Sequence, residues 1–414
     1  MRMPNTRLRR RGFLGVIGWL TAAGTLRPGN LYAAYLASRH GEMYRNIGVR
    51  PLINAAGTYT TLTGSVMAEE TSRTMAEAAN CFVPLIELQQ KAGERIAKLI
   101  GVPAALVSAG AASSIQLATA ACLAGKDPER IRRLPETEGI ANEIIANEVI
   151  MVKQHRMGFD HAARTAGAKI VEVDSLEELR NAMGPKTAML FFVHIYEPKG
   201  KISRADFLAA GKKAGVPVFN DAAAELPPHE NLWKITEEGF DLVAFSGGKG
   251  LRGPQASGLL VGRKDLIEAA ALNNNPHADT IGRGMKVGKE EIMALLKAVE
   301  IYVHRDHEAD QKLWRGFMER IAKAVAGLPT VKTEIYVPGP GGHPVPYLRV
   351  QWDAAKLRLS FAECGKQLSE GEPRIEVNVA ENEINLASYN LFPDEDRIVA
   401  WRLSEVLREA SQRG

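Results

Sequence analysis

Apolar residues recur along this chain in two rhythms that alternate through its middle. Short, almost continuous aliphatic runs predict buried strands at Ala104–Ser108, Ile145–Val152, Lys169–Val173, Ala188–Val193, Val216–Asn220, Leu242–Phe245 and Gly258–Val261. Between them, helical spacing predicts helices over 111–124, Phe159–Ala166, Leu176–Met183 and Arg204–Ala214. Strands that alternate with helices and are apolar on both faces predict an α/β fold, a mostly parallel sheet covered by helices. Upstream, residues 66–100 carry a helical stripe in Leu85, Leu88, Ala92, Ile96 and Leu99. Downstream, a helical pattern from about 290 to 325 leads towards a smaller C-terminal α+β domain. That domain is predicted to hold a hairpin (Ile375–Val379 and Ile384–Ala387) and a closing amphipathic helix, Glu395–Ala410. The chain divides accordingly into a leader (1–38), an N-terminal arm with helices (39–100), a large domain (101–290), and a bridging helix with the small domain (291–414).

Charge changes this picture at one end only. The 414 residues carry a formal net charge of +4, but Arg2, Arg7, Arg9, Arg10, Arg11 and Arg27 fall in residues 1–34 with no Asp or Glu, and without them the remainder stands at −2. A broad nucleic-acid surface, which needs clustered Lys and Arg, is therefore not expected. Arg9-Arg10-Arg11-Gly12-Phe13-Leu14 followed by a modest apolar run looks like a twin-arginine export signal. It implies the twin-arginine export machinery as a partner and a periplasmic location, with the cytoplasm as the alternative. Cys81, Cys122 and Cys364 lie far apart without a CxxC pair, which argues against a zinc site or a disulfide framework and favours buried apolar roles for all three.

Candidate chemistry sits at predicted strand ends, where open α/β sheets collect ligands. Phe245-Ser246-Gly247-Gly248-Lys249-Gly250 places one lysine in a glycine-rich turn after an apolar run. Val218-Phe219-Asn220-Asp221 places one carboxylate at the end of another. A lysine able to form a Schiff base and an aspartate able to keep a pyridine nitrogen protonated are what pyridoxal 5'-phosphate (PLP) asks of a protein. Flanking glycines would let Lys249 approach the cofactor closely. Ser108-Ala109-Gly110-Ala111-Ala112-Ser113 is a strand-to-helix turn of small residues. The amides around Gly110 and Ala111 would hold the phosphate, with Ser246 adding a hydroxyl. His155 follows a predicted strand and would lie over the cofactor ring. Arg252, Arg283 and Arg349, with Lys286, are candidate anion binders for a substrate carboxylate or a second anion. No HExxH, GxSxG or GxxxxGKS motif appears, so the metalloprotease, serine-hydrolase and nucleotide-triphosphate readings lack residues.

Taken together, Asn54-Ala55-Ala56-Gly57-Thr58-Tyr59-Thr60, Ser108–Ala112, His155-Arg156 with Phe159-Asp160-His161-Ala162, Asp221–Glu225 and Ser246–Gly250 resemble the selenocysteine synthase-like group of fold-type I PLP enzymes. Within it they look closest to the D-glucosaminate-6-phosphate ammonia-lyase branch. The resemblance covers roughly residues 45–410. It implies that Lys249 is the Schiff-base lysine, Asp221 the pyridine partner and His155 the stacking residue. It also implies at least a homodimer, with the site near the subunit interface. The expected activity is that of a PLP-dependent lyase: Cα deprotonation and β-elimination on an amino acid or amino sugar acid, with release of ammonia. Racemisation and transamination start from the same carbanion. The alternatives are an L-seryl-tRNA(Sec) selenium transferase and a non-catalytic protein that keeps the fold. The export-type leader and the short segment before the arm depart from the family pattern, and the second lowers the tRNA reading.

Overall fold

A computed structural model describes residues 41–137, 146–338 and 343–413. The export-type leader lies outside the described residues. Among these residues, no helix is long and apolar enough to cross a membrane.

The central element is a seven-stranded sheet ordered β2-β8-β7-β6-β5-β3-β4. Its strands are β2 (Ala104–Ser108), β3 (Glu148–Val152), β4 (Lys169–Val173), β5 (Thr187–Val193), β6 (Val218–Asp221), β7 (Leu242–Ser246) and β8 (Gly258–Gly262). Only β8 runs against its neighbours, pairing antiparallel with both β2 and β7, while the β7, β6, β5, β3 and β4 pairings are parallel. The sequence reading therefore holds in class and in strand order along the chain.

Alternation along each strand separates two cores. Leu106, Met151, Phe191, Phe219, Ala244 and Leu260 face one way and pack against Ala111–Ala124. Val107, Val152, Phe192, Val243, Phe245 and Val261 face the other way, beneath Leu85–Ile100, Arg204–Ala214 and Lys289–His304. Phe191 and Phe219 meet edge-to-face at 5.0 Å, both fully buried. Truncating either to alanine would cost about 3–5 kcal/mol through the cavity left behind.

Two helical patterns break where the sequence reading ran them on. Residues 66–100 form two helices, Glu69–Ala79 and Leu85–Ile100; Pro84 caps the second and holds the chain extended before it. The 290–325 pattern splits into Lys289–His304 and His307–Val325 because Asp306 accepts the amide of Ala309 and starts a new helix. The first of these packs on the large sheet through Ile292, Leu295 and Val299. The second belongs to the small domain through Trp314, Phe317 and Ile321. The change of domain thus falls at Arg305–Asp306 rather than at 291.

The small domain is a four-stranded antiparallel sheet ordered β12-β13-β10-β9, built from β9 (Lys332–Tyr336), β10 (Tyr347–Gln351), β12 (Asn378–Ala380) and β13 (Glu383–Ala387). It packs against His307–Val325, Phe361–Glu370 and Glu395–Arg413. The N-terminal arm joins this domain. Its β1 (Ile53–Asn54) pairs in parallel with β11 (Ile375–Glu376), and Ile53 and Ala55 enter the small-domain core. All three cysteines are free. Cys364 is buried as expected, whereas Cys81 is exposed in the break between the first two helices.

Candidate active site

The parallel strands end on one edge, and the register fixes what meets there. Gly258 pairs with both Ser108 of β2 and Ser246 of β7, so these two serines flank one point. Asp221 closes β6 next door, opposite Ala244. By alternation Ser108, Asp221 and Ser246 all point to the face covered by Ala111–Ala124.

Gly110 begins that helix at φ 130°, a backbone region closed to most side chains, and nothing lies within 4 Å of where a Cβ would stand. Ser108 Oγ bonds Ser114 Oγ at 2.7 Å and donates to the Gly110 carbonyl at 2.9 Å, which holds the turn. In the first helical turn, Ser113 Oγ is buried without a partner among the described residues. A helix start with free amides, an open cradle and an orphaned hydroxyl fit a phosphate.

Asp221 is buried, and its Oδ1 accepts the Ala223 amide at 3.0 Å, leaving Oδ2 to a ligand. Burial raises its pKa; the Ala223 amide and the charge of Lys249 oppose the rise. Burial lowers the pKa of Lys249, with Asp221 and Glu225 pulling the other way. The two groups thus lie within electrostatic reach of each other, and the lysine is biased towards the neutral amine that Schiff-base chemistry requires. A buried carboxyl group, a nucleophilic amine and an anion cradle on one edge fit a phosphorylated pyridine aldehyde such as PLP.

The glycines around Lys249 serve a purpose the sequence reading did not foresee. A Cβ on Gly247 would lie 2.0 Å from Ser257 Oγ, and one on Gly250 would lie 2.2 Å from the Leu226 carbonyl. They let the lysine turn pack between other segments of the chain. The arm then clamps that turn. Ser65 donates its amide to the Gly248 carbonyl at 2.9 Å and its hydroxyl to the Lys249 carbonyl at 2.8 Å.

The remaining sequence candidates separate. Ser246 is half-buried at the edge. Arg252 is placed with Lys249 along a narrow cavity that also includes Tyr302, Trp314, Tyr389 and Asn390, and it donates to the Tyr389 carbonyl at 2.6 Å. His155 is fully buried, edge-on to Phe192 at 4.6 Å, with Nδ1 accepting the Val193 amide at 3.2 Å. Val193 is the register partner of Asp221 on the neighbouring strand, so His155 sits at the strand ends next to the aspartate. Arg349 is ion-paired with Glu334 at 2.6 Å and Glu383 at 3.0 Å and lies over the Tyr336 ring, so its charge is already matched. Arg283 is exposed in its glycine-rich segment, away from the Lys249 cavity within this chain. A larger cleft of about 780 Å³ lies at the opposite edge of the sheet, around Gly215, Glu238 and Arg263, and contains none of these groups.

Three functional neighbours escaped the sequence reading. Glu225 is buried beside Asp221 and Lys249, and its pKa is pushed up to about 7 by burial and by the Asp221 charge. Its Oε2 lies 3.9 Å from Nε2 of buried His194, which in turn contacts Asn220 and Arg204, each at 3.1 Å. Tyr389 joins arm and small domain: its hydroxyl accepts the Thr58 amide at 3.3 Å and bonds Tyr347. His343 stacks on Tyr389 and feels the charge of Lys249. Glu225 had a local signal, an acid four residues after the strand-end Asp221. The other two had none.

A sheet with one reversed strand, a lysine after β7 and an aspartate ending β6 define the class of fold-type I PLP-dependent enzymes. Comparison with known proteins agrees. A family model, "L-seryl-tRNA selenium transferase", matches residues 159–318. The 5'-C-glycyluridine monooxygenase-decarboxylase of a Streptomyces species is 30% identical over 382 residues, covering 89% of this chain and 92% of its own. The D-glucosaminate-6-phosphate ammonia lyase of Salmonella typhimurium is 29% identical, covering 89% and 99%. A solved D-glucosaminate-6-phosphate ammonia-lyase structure superposes with a TM-score of 0.77 at 29% identity, covering 89% of this chain and 99% of that one. A structure of SPT with PLP shares the fold at 14% identity and a TM-score of 0.56, covering 87% and 88%. The chain belongs to the selenocysteine synthase-like family of PLP enzymes.

Proposed function

We propose that this protein binds PLP through Lys249 and acts as a lyase on an amino acid or amino sugar acid. The reaction removes the Cα proton and expels a β-substituent, and water then hydrolyses the resulting enamine to a keto acid and ammonia. The observation that carries this reading is the meeting of Lys249 and Asp221 on one sheet edge, within reach of each other's charge, in a chain that aligns with an ammonia lyase over 89% of its length. Bound there, the cofactor supplies an electron-withdrawing ring that stabilises negative charge at Cα. Asp221 would keep that ring protonated, the Gly110–Ser113 turn and Ser246 would hold its phosphate, and the Lys249 amine would move the Cα proton.

The test is incubation of the PLP-loaded protein with D-glucosaminate 6-phosphate and a panel of D- and L-amino acids, following ammonia and keto acid together. Equal yields of both support the lyase. Oxygen consumption with carbon dioxide release would instead align the protein with its monooxygenase-decarboxylase relative. The family model favours one second reading, selenium transfer to seryl-tRNA. The aligned stretch covers 61% of the Moorella thermoacetica selenium transferase, against 99% of the ammonia lyase. Tight, specific tRNA binding would restore the transferase reading.

The triple-arginine leader supports export to the periplasm, tested by cell fractionation of an Arg10→Lys/Arg11→Lys variant. Assembly into at least a dimer is supported by Phe82, Val83 and Ile86, all exposed at the break between the first two helices, and is tested by sedimentation.

A further inference from the structure

The small domain brings two imidazoles towards the lysine: His307 lines the Lys249 cavity and gives Nε2 to the Tyr302 carbonyl at 2.9 Å, whereas His343 has a ring nitrogen without a protein partner among the described residues. The ring of His343 stacks on Tyr389 with centroids 5.4 Å apart at 28°. Tyr389 is itself fixed at three points: its hydroxyl accepts the Thr58 amide and bonds Tyr347, and its carbonyl accepts from Arg252. The imidazole therefore rests on a rigid platform that links arm, small domain and lysine turn. Burial, and then the positive charge of Lys249, hold its pKa down at about 4, so the ring is neutral at physiological pH. Among the described residues its Nδ1 is buried without a hydrogen-bond partner. A buried polar atom left unpaired is costly, and one on a ring stacked against Tyr389, which lines the Lys249 cavity, is paired most simply by a ligand.

We propose that His343 recognises a hydroxyl on the substrate's carbon chain next to the reacting carbon, and so selects hydroxylated amino acids or amino sugar acids. The inference rests on reading Lys249 as the amine that holds the cofactor. A neutral imidazole can accept from or donate to a hydroxyl, whereas an alkyl chain in the same place leaves Nδ1 unpaired. Sites built to pair with a substrate hydroxyl reject the analogue that lacks it. Other titratable groups near Lys249 have protein neighbours of their own: Asp221 takes the Ala223 amide, Glu225 faces His194 at 3.9 Å, His307 meets the Tyr302 carbonyl, and Tyr389 meets Thr58 and Tyr347.

The test uses PLP-loaded enzyme and measures binding of D- and L-serine against D- and L-alanine, through the change in visible absorbance on mixing, for wild type, His343→Leu and His343→Asn. The preferred enantiomer of serine is expected to bind wild type roughly 10–100-fold tighter than the matching alanine. In His343→Leu that ratio is expected to fall to near one, with alanine binding retained. His343→Asn, which keeps a polar atom near the Nδ1 position, is expected to hold part of the preference. Borohydride reduction followed by peptide mapping is run on every variant. Labelled Lys249 with an unchanged serine-to-alanine ratio in His343→Leu overturns the role of His343 and leaves the PLP reading standing, as does a labelled wild type with no preference for serine. A wild type without label at Lys249 overturns both.

Discussion

Replacing Glu225 with glutamine is expected to stabilise the cofactor-free protein, and to do so only at neutral and alkaline pH. Glu225 sits buried beside Asp221 and 3.9 Å from neutral His194. Its pKa, pushed up to about 7 from an ordinary 4.5, exceeds its unfolded value. Such a group contributes stability that is fully present below the unfolded pKa and is lost as pH rises through the folded one. At 1.36 kcal/mol per pH unit, the penalty above pH 8 reaches roughly 3 kcal/mol, and at pH 5 it is under about 1 kcal/mol. Glutamine keeps the shape and hydrogen-bonding capacity without the charge. Urea unfolding of wild type and Glu225→Gln at pH 5.0 and 8.5 should therefore show nearly coincident midpoints at pH 5.0. At pH 8.5 the variant should be more stable by about 2–3 kcal/mol. A difference between variant and wild type that is independent of pH, or a variant less stable than wild type at pH 8.5, would refute the assignment of Glu225 as a strained buried carboxylate.

Other substitutions probe the site and its supports. Asp221→Asn should still bind PLP but lose about a hundredfold or more in turnover, equivalent to some 2.7 kcal/mol of barrier, because the ring nitrogen loses its anionic partner; steady-state rates with the best substrate measure this. Gly64→Ala should destabilise by about 2 kcal/mol or more, since Gly64 has φ +69° and a Cβ would stand 2.4 Å from the Gly248 carbonyl, while Gly48→Ala, at φ +81° with open space around it, should cost about 1 kcal/mol in the same denaturation assay. His194 and His343 are held near pKa 4, mainly by burial, so their contribution to stability is present above pH 6.5 and lost as pH falls towards 4. The urea midpoint should drop across that window, against the smaller gain from Glu225, and His194→Gln should flatten the drop.

The parts of the fold and site that were legible in the sequence are the local ones. Asp221 and Lys249 each close a short apolar run, and a parallel sheet carries every such end to the same edge, so their meeting followed from topology alone. What stayed hidden depends on contacts distant along the chain. Thr58 meets Tyr389 across 331 positions, and Ser65 meets Lys249 across 184. No period or motif marks such pairs. The setting of His155 was not legible because a position just after a strand does not say which neighbours its side chain takes; here Phe192 and the amide of Val193, the register partner of Asp221, hold it. Arg349 looked available because an isolated arginine in a sequence carries no record of its cross-strand neighbours Glu334 and Glu383. The break at Asp306 was missed because the apolar stripe runs through it, while a single capping side chain decides the helix boundary.

Borohydride reduction of freshly purified, PLP-supplemented protein, followed by peptide mapping, tests the tethering of a coenzyme at position 249 most directly. The expected result is loss of the visible absorbance band and one reduced pyridoxyl group on the peptide containing Lys249, absent in Lys249→Ala. A colourless protein that takes up no label, or a label on another lysine with Lys249 untouched, would contradict it.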